Sequence, residues 1–383
     1  MLLVCHKPYS KHYSTRIKGG LILKRIQVLA LFAAVLLTLL AVLLSYKNQA
    51  QAQASQEEVS VTFTGDILPH TSLYKKFQTS SGYDFSRTFQ EISPLLDGDI
   101  NLCHLETTLT KGTPSSYPSF ATPYQLANSI KKHWQGCSIA SNHTLDKGLK
   151  GVKTTREVFE SLNFPVAGTK LSPSDDPTIY FKLPNDHTLA YLAYTYGTNG
   201  IRSPLDKPDL VNRISYSKIK KDILAASKKA DLVILYLHWG TEYQEKPSPY
   251  QVSLAEKLLA IPELNAIVGS HVHLLQPGQL LNKKPAIYGL GNLWSGQGSW
   301  SNQPLGQIGA ILKLNFIYQP TEKRYIYQKG YINPTVTLPS TWQVYPAQKL
   351  LETKDRTLAC TAFKATEKLY KSLLETPPSC KRT

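Results

Sequence analysis

The chain has no Cys-x-x-Cys pair, and its five cysteines follow no regular spacing, so nothing supports a zinc–thiolate site. A fixed-period repeat is also absent, which argues against a solenoid or propeller. No basic helix or aromatic ribonucleoprotein-type motif appears, so nucleic acid is not the expected partner despite a net charge of +16. Acidic residues are missing from the first 27 positions, where Lys7, Lys11, Arg16, Lys18, Lys24 and Arg25 all stand. Without those six, 37 basic residues face 27 acidic ones, a remaining excess of +10. That excess suits an anionic partner such as an acidic polymer or lipid headgroups, and equally a solvated basic surface.

Against these absences stands one long apolar run. Val28 to Leu44 carries no charge and one polar residue, Thr38, close to the lower length limit of a membrane-spanning helix. Six basic residues precede it and only Lys47 follows closely. This asymmetry predicts a cytoplasmic stretch 1–25, an anchor 26–45 in the lipid bilayer, and everything beyond it extracytoplasmic. A cleaved secretory signal is the competing reading, because Ala50-Gln51-Ala52 and Ala52-Gln53-Ala54 resemble cleavage sites. Residues 46–58, with Gln49 to Gln56 at their centre, read as a featureless polar linker.

From 59 to 335, strand and helix patterns alternate. Val59–Thr64, Ile100–Leu105, Cys137–Ala140, Leu189–Tyr194, Leu232–Leu237, Ala266–Val268 and Ala286–Tyr288 read as strands. Helical spacing is expected through Phe85–Ile92, and over Lys150–Leu162, Lys218–Ala230 and Val252–Ala260. This is an α/β pattern with buried sheets. Residues 336–383 form a C-terminal extension with one helix near Leu358–Leu373, ended by Pro377-Pro378. Cys5 lies in the cytoplasmic stretch, and Cys103 and Cys137 read as small buried residues. Cys360 and Cys380 flank the last helix, where oxidising surroundings would let them pair.

Short polar clusters follow the strands. They are Gly65-Asp66 with His70, Asn101 to Glu106, Ser141-Asn142-His143 with Asp146, His238 to Glu242, and His271-Val272-His273. In α/β folds the loops leaving the carboxyl ends of strands gather the site. Carboxylates, amides and imidazoles gathered there are what a two-metal hydrolase requires, since a shared carboxylate holds two cations about 3.5–4 Å apart. Each cluster alone has a plainer reading: turn chemistry for Asp66 and Asn142-His143, a salt bridge for Glu106, a satisfied core histidine for His238. Five of them together at strand ends make the plain readings hard to hold at once.

These motifs, with Gln276-Pro277 and Leu290-Gly291-Asn292, resemble the CapA family of capsule or poly-γ-glutamate synthesis proteins, from about Val59 to Phe316. That family is similar to the calcineurin-like metallophosphoesterases. The resemblance implies a sandwich of two mixed β-sheets flanked by helices, together with an N-terminal transmembrane helix. It implies one or two divalent cations (Mn, Zn, Fe or Mg) on Asp66, Glu106, Asn142, His238, His271 and His273. His143 takes the place of the histidine that protonates a leaving group. Leu68 stands where the metallophosphoesterase pattern has a histidine, and His70 is the nearby candidate for that donor. Asp146, Trp239, Glu242 and Asn292 are expected around the ligands or against substrate. The implied role is synthesis, export or attachment of an anionic cell-surface polymer, with other capsule or polyglutamate synthase subunits as partners. A non-catalytic assembly subunit and a general periplasmic metallophosphoesterase are the rivals.

Overall fold

The computed structural model describes residues 15–184, 186–300, 304–370, 373–375 and 380. Cys5, Lys7, Lys11 and Pro377-Pro378 lie outside them. The chain divides into two units, Met1–Gln56 and Glu57–Thr383.

In the first unit a single helix, α1 (Thr15–Glu57), carries the apolar run. Its stretch Lys24–Asn48 is long and apolar enough to cross a membrane, and a signal sequence would meet the same criterion. The side chains of that stretch are exposed, as expected of a helix that is apolar on every side. The segment read as a featureless linker is helical instead, since α1 continues through QAQAQASQE. Alanine and glutamine are good helix formers, and no glycine or proline interrupts them.

The second unit is built on fourteen principal strands: β1 (Glu58–Leu68), β2 (Ile100–Leu105), β3 (Gly136–Ser138), β4 (Val166–Ala167), β5 (Ile179–Lys182), β6 (Thr188–Thr195), β7 (Leu232–His238), β8 (Ala266–Ser270), β9 (Leu275–Leu281), β10 (Lys284–Leu290), β11 (Asn292–Ser295), β12 (Ile308–Gln319), β13 (Arg324–Leu338) and β14 (Gln343–Pro346). One sheet runs β14-β13-β12-β1-β2-β3-β4, with β11 also pairing β1. The other runs β9-β10-β8-β7-β6-β5. Both are mixed: β1 to β4 are parallel and β12 to β14 antiparallel, while β6, β7, β8 and β10 are parallel between antiparallel edges. The longer helices are α2 (Leu126–His133), α3 (Gly148–Ser161), α4 (Tyr216–Ala226), α5 (Pro249–Leu259) and α6 (Arg356–Tyr370).

Strand periodicity places the core. On β7, Leu232, Ile234 and Tyr236 enter the layer between the sheets, where they meet Val61 and Phe63 of β1 and Leu102 of β2. The alternate residues Val233, Leu235 and Leu237 pack outward against Ile219 and Ile223 of α4 and Leu258 of α5. The outer face of the other sheet is covered by Phe89, Trp134 and Phe159. The product is a two-sheet α/β sandwich with helices outside.

Several expectations change in detail. The pattern through Phe85–Ile92 gives turns and a short 3₁₀ helix, Gln90–Leu95, because Pro94 has no N–H to continue an α-helix. The boundary expected at 336 falls inside β13, and β14 adds to the same sheet, so the extension supplies a strand as well as α6. Cys103 and Cys137 are not free: they are opposite partners on β2 and β3, with Cα atoms 4.5 Å apart, and form a disulfide. The reading from a single strand could not show that register. Cys360 and Cys380 are bonded too, with Cα atoms 5.4 Å apart.

Candidate functional site

The carboxyl ends of β1, β2, β7 and β8 meet at one buried point. β1 delivers Asp66, whose N–H donates to the Gly291 carbonyl at 2.9 Å. The preceding Gly65 permits this approach, since a Cβ there would collide with the Gly291 carbonyl oxygen. β2 places His104 opposite Asp66 and leads into Glu106. β7 ends in His238, and the turn after β8 carries His271 and His273. Both of those histidines have positive φ, 96° and 60°, an unfavourable backbone state that non-glycine residues keep where the surroundings demand it.

The side chains form a mutually linked set. The His273 Nδ1 lies 3.4 Å from Asp66 Oδ2 and 3.8 Å from Glu106 Oε2. The His238 Nε2 lies 3.3 Å from Glu106 Oε1 and 2.7 Å from Asn142 Oδ1. The His104 Nε2 is 3.8 Å from Asp66 Oδ1. Neighbours hold the imidazoles in place: Ser270 Oγ is 2.9 Å from His238 Nδ1, and Asn292 Oδ1 is 3.0 Å from His273 Nδ1. Asn142 is itself oriented by its Nδ2, which donates to Asn199 Oδ1 at 3.2 Å.

Burial sets the electrostatics. Desolvation raises the Glu106 carboxyl well above the usual range, reinforced by the Asp66 charge. Burial would also raise Asp66, but the hydrogen bond and charge of His273, with His104 and the His271 N–H, hold it below the ordinary value. Burial lowers His104 to about 4 and His271 to about 3, and pushes His238 well below 6.5. Burial thus favours the neutral form of His104, His238 and His271, the form that ligates metals.

The donor set fits divalent cations. Donor atoms of Asp66, His104, Glu106 and His238 lie within 4.8 Å of one another, as do those of Glu106, His271 and His273. Glu106 is common to both groups. Both Glu106 oxygens, Asp66 Oδ1, both His104 nitrogens and His271 Nδ1 are buried without a hydrogen bond. Such orphans are costly, and bound cations would satisfy the carboxylate oxygens and one nitrogen of each imidazole. Carboxylate and imidazole donors suit borderline divalent ions.

The remaining expected residues take distinct places. The His143 Nδ1 sits 2.8 Å from Asp146 Oδ2, and its ring packs edge-on against Phe120 at 4.6 Å. The same Asp146 oxygen accepts from the Phe120 N–H at 2.6 Å. His70 is buried, but its Nδ1 accepts from the Gly296 N–H at 3.2 Å, and it belongs to neither donor group. Glu242 is exposed. Trp239, expected around the ligands or against substrate, turns to the other face of its sheet: it stacks on Tyr288 and donates to the Tyr288 carbonyl at 3.1 Å. Side chains alternate along a strand, so the inward His238 sends its neighbour outward. Asn101 closes a turn with Gly98 at the opposite end of β2.

Sequence reasoning passed over His104, Tyr196 and Ser270. His104 is two residues before Glu106, the spacing that puts two side chains on one face of a strand. Tyr196 lies tilted against His271 at 4.5 Å and is 46% exposed, so it forms part of the mouth. Its position after β6 carries no motif.

Comparison with known proteins places this arrangement. The chain is 26% identical to the capsule biosynthesis protein CapA of Bacillus anthracis over 287 residues, 70% of this chain and 69% of that one. It is 32% identical to the PGA biosynthesis protein CapA of Bacillus subtilis over 178 residues, 46% of each chain. Among solved structures, a calcineurin-like phosphoesterase of Bacillus subtilis is similar over 81% of this chain and 97% of its own, with 13% identity and a TM-score of 0.45. The profile of the bacterial capsule synthesis protein family PGA_cap matches residues 60–297, from Ser60 on β1 through every strand that feeds the pocket, and to that family the chain belongs.

Proposed function

We propose that this is a membrane-anchored, extracytoplasmic CapA-like protein that serves synthesis, export or attachment of an anionic capsule polymer such as poly-γ-glutamate, through a divalent-metal hydrolase-type site. The observation that carries the proposal is the shared, wholly buried Glu106. Both of its oxygens lack hydrogen bonds, and it joins two groups of donors in which burial keeps His104, His238 and His271 neutral. The capsule-synthesis relatives supply the polymer. Two disulfides favour an oxidising compartment for the folded unit, and the basic stretch before Val28 favours a cytoplasmic amino terminus.

Divalent cations held in such a site would supply Lewis-acid polarisation of a phosphoryl or carbonyl oxygen and a more acidic bound water. Asp66, Glu106, Asn142, His238, His271 and His273 would hold them. Beside them, Asp146 accepts at the His143 Nδ1, which fixes the ring and leaves Nε2 to carry a proton to the leaving group. Phe120 blocks one side of that ring from water. His70 packs against the other edge of Phe120, at 5.2 Å. Ser270, at the His238 Nδ1, keeps the His238 Nε2 directed inward, and Asn292 fixes the His273 ring.

The test uses the full chain in detergent. Bound divalent metal is measured by mass spectrometry, and capsule polymer is measured in cells carrying His271→Ala with His273→Ala. The reading predicts at least one bound ion and loss of polymer. A metal-free protein whose double variant still supports normal polymer would reduce the chain to an assembly subunit.

A further inference from the structure

We infer that His104 is itself a metal ligand, completing the group formed by Asp66, Glu106 and His238, and that His70 is not. The inference rests on the metal-site reading above and adds a donor that the resemblance does not provide. Leu68, two residues beyond Asp66 on β1, is buried and apolar and offers no donor. β2, hydrogen-bonded alongside, fills that lack. Its register sets His104 opposite Asp66, and the i, i+2 spacing turns His104 and Glu106 toward the same side.

Three observations separate His104 from an ordinary core histidine. First, both of its ring nitrogens are buried without a hydrogen bond. His143, His238 and His273 differ, each with a nitrogen within 3.0 Å of a neighbour's oxygen, and the His70 Nδ1 accepts from Gly296, while His271 is buried unpaired at Nδ1 alone. A neutral imidazole always has one donor and one acceptor, so leaving both unused costs stability that a phenyl ring of similar shape would avoid.

Second, the ring is held. It stacks between Tyr236, at 5.0 Å and 26°, and His238, at 4.8 Å and 34°. The preceding residue, Cys103, ties β2 to β3 through its disulfide. A donor fixed in this way needs little reorganisation on binding.

Third, the spacing suits shared coordination. Two ligands at roughly 2.0–2.2 Å from one ion stand roughly 3–3.6 Å apart. The 3.8 Å from His104 Nε2 to Asp66 Oδ1 needs only a small movement to meet that. His70 does not compete. Its ring lies edge-on to Phe120 at 5.2 Å, and its Nδ1 accepts from the backbone of the segment after β11. There it positions Ser295 and Gly296.

Mn²⁺ alone is the probe, titrated into the metal-stripped full chain in detergent and read by electron paramagnetic resonance and by metal stoichiometry. His104→Phe keeps the stacking and should lose one bound ion, or bind one ion about 100-fold more weakly. His70→Ala should bind as the unaltered chain does. Wild-type stoichiometry and affinity in His104→Phe overturns the inference, as does loss of an ion in His70→Ala alone. If His104→Phe fails to fold, an anomalous-scattering map of Mn²⁺-soaked crystals of the unaltered chain decides. An ion bonded to a His104 ring nitrogen supports the assignment. An ion on Asp66 and Glu106 that leaves His104 uncoordinated refutes it. An unaltered chain that binds no ion at all removes the metal reading together with this inference.

Discussion

The two sheets bring different chemistry to the same point. The β1–β2 side supplies acid: Asp66 and Glu106, both fully buried. The β7–β8 side supplies His238, His271 and His273 to the buried set, with no carboxylate of its own in either donor group. The two sides also respond oppositely to burial, which drives Glu106 toward its protonated form and His238 and His271 toward their unprotonated one. Neither sheet alone makes a stable site, because each would bury polar groups without partners. The site therefore exists only where the sandwich closes, and a cation is the simplest agent that would let Glu106 ionise there.

Removing the acid that both donor groups share should break this arrangement most completely. Glu106→Gln keeps the volume and deletes the charge. We expect a loss of divalent-metal affinity exceeding about 100-fold, above the usual effect of disturbing an outer partner. Calorimetric titration with Mn²⁺ checks it, and near-normal affinity would shift the shared role to Asp66. The next effect in size belongs to a residue outside both groups. His143→Gln should slow turnover of a generic phosphodiester by about 10²–10⁴-fold while metal content stays unchanged. Parallel loss of metal would place His143 among the ligands instead.

Acid sharpens the contrast in the chelated protein. His70 and His104 have folded values of about 4 and His271 of about 3, all below the ordinary 6.5. Between pH 6.5 and about 4 the unfolded chain binds more protons at these groups, so stability falls as pH falls. Glu106 works the other way: its raised folded value means it loses stability as pH rises above 4.5. With His238, which is also pushed well below 6.5, four histidines outweigh one carboxylate, so the net expected change is a loss on the order of a few kcal/mol on acidification to pH 4. Thermal melting across that range measures it, and His271→Ala should flatten the profile.

How much of this could be read from the residues alone follows the same division. The histidine side was legible, because His238 ends the most apolar strand and His271-Val272-His273 follows another. Asp66 and Glu106 were legible as strand-end acids. His104 was not, because a histidine inside a buried strand looks like core until the register with Asp66 is known. Trp239 misled for the complementary reason: it is adjacent to a pocket histidine in sequence and on the opposite face in space. The Cys103–Cys137 bond likewise depends on pairing between strands that are 34 residues apart. Local pattern gives the strands and their ends; the partners across strands come only with the fold.

The smallest expected effect asks whether the sheets act independently. His238 is held by Ser270 from its own sheet, whereas His273 is held by Asn292, which belongs to β11 beside β1. Asn292 also donates to Gln297 Oε1 and the Gly306 carbonyl, both at 2.8 Å, so it is anchored three ways. Outer partners of this kind are worth about 10–100-fold in metal affinity. Ser270→Ala removes one hydrogen bond within a sheet and should fall near the lower end of that range. Asn292→Ala removes the brace between sheets and should fall near the upper end. If the two substitutions cost the same, the junction of the sheets adds nothing beyond a single hydrogen bond. If Asn292→Ala costs more and the double substitution is additive, the histidine side depends on the acid side for its geometry as well as its charge.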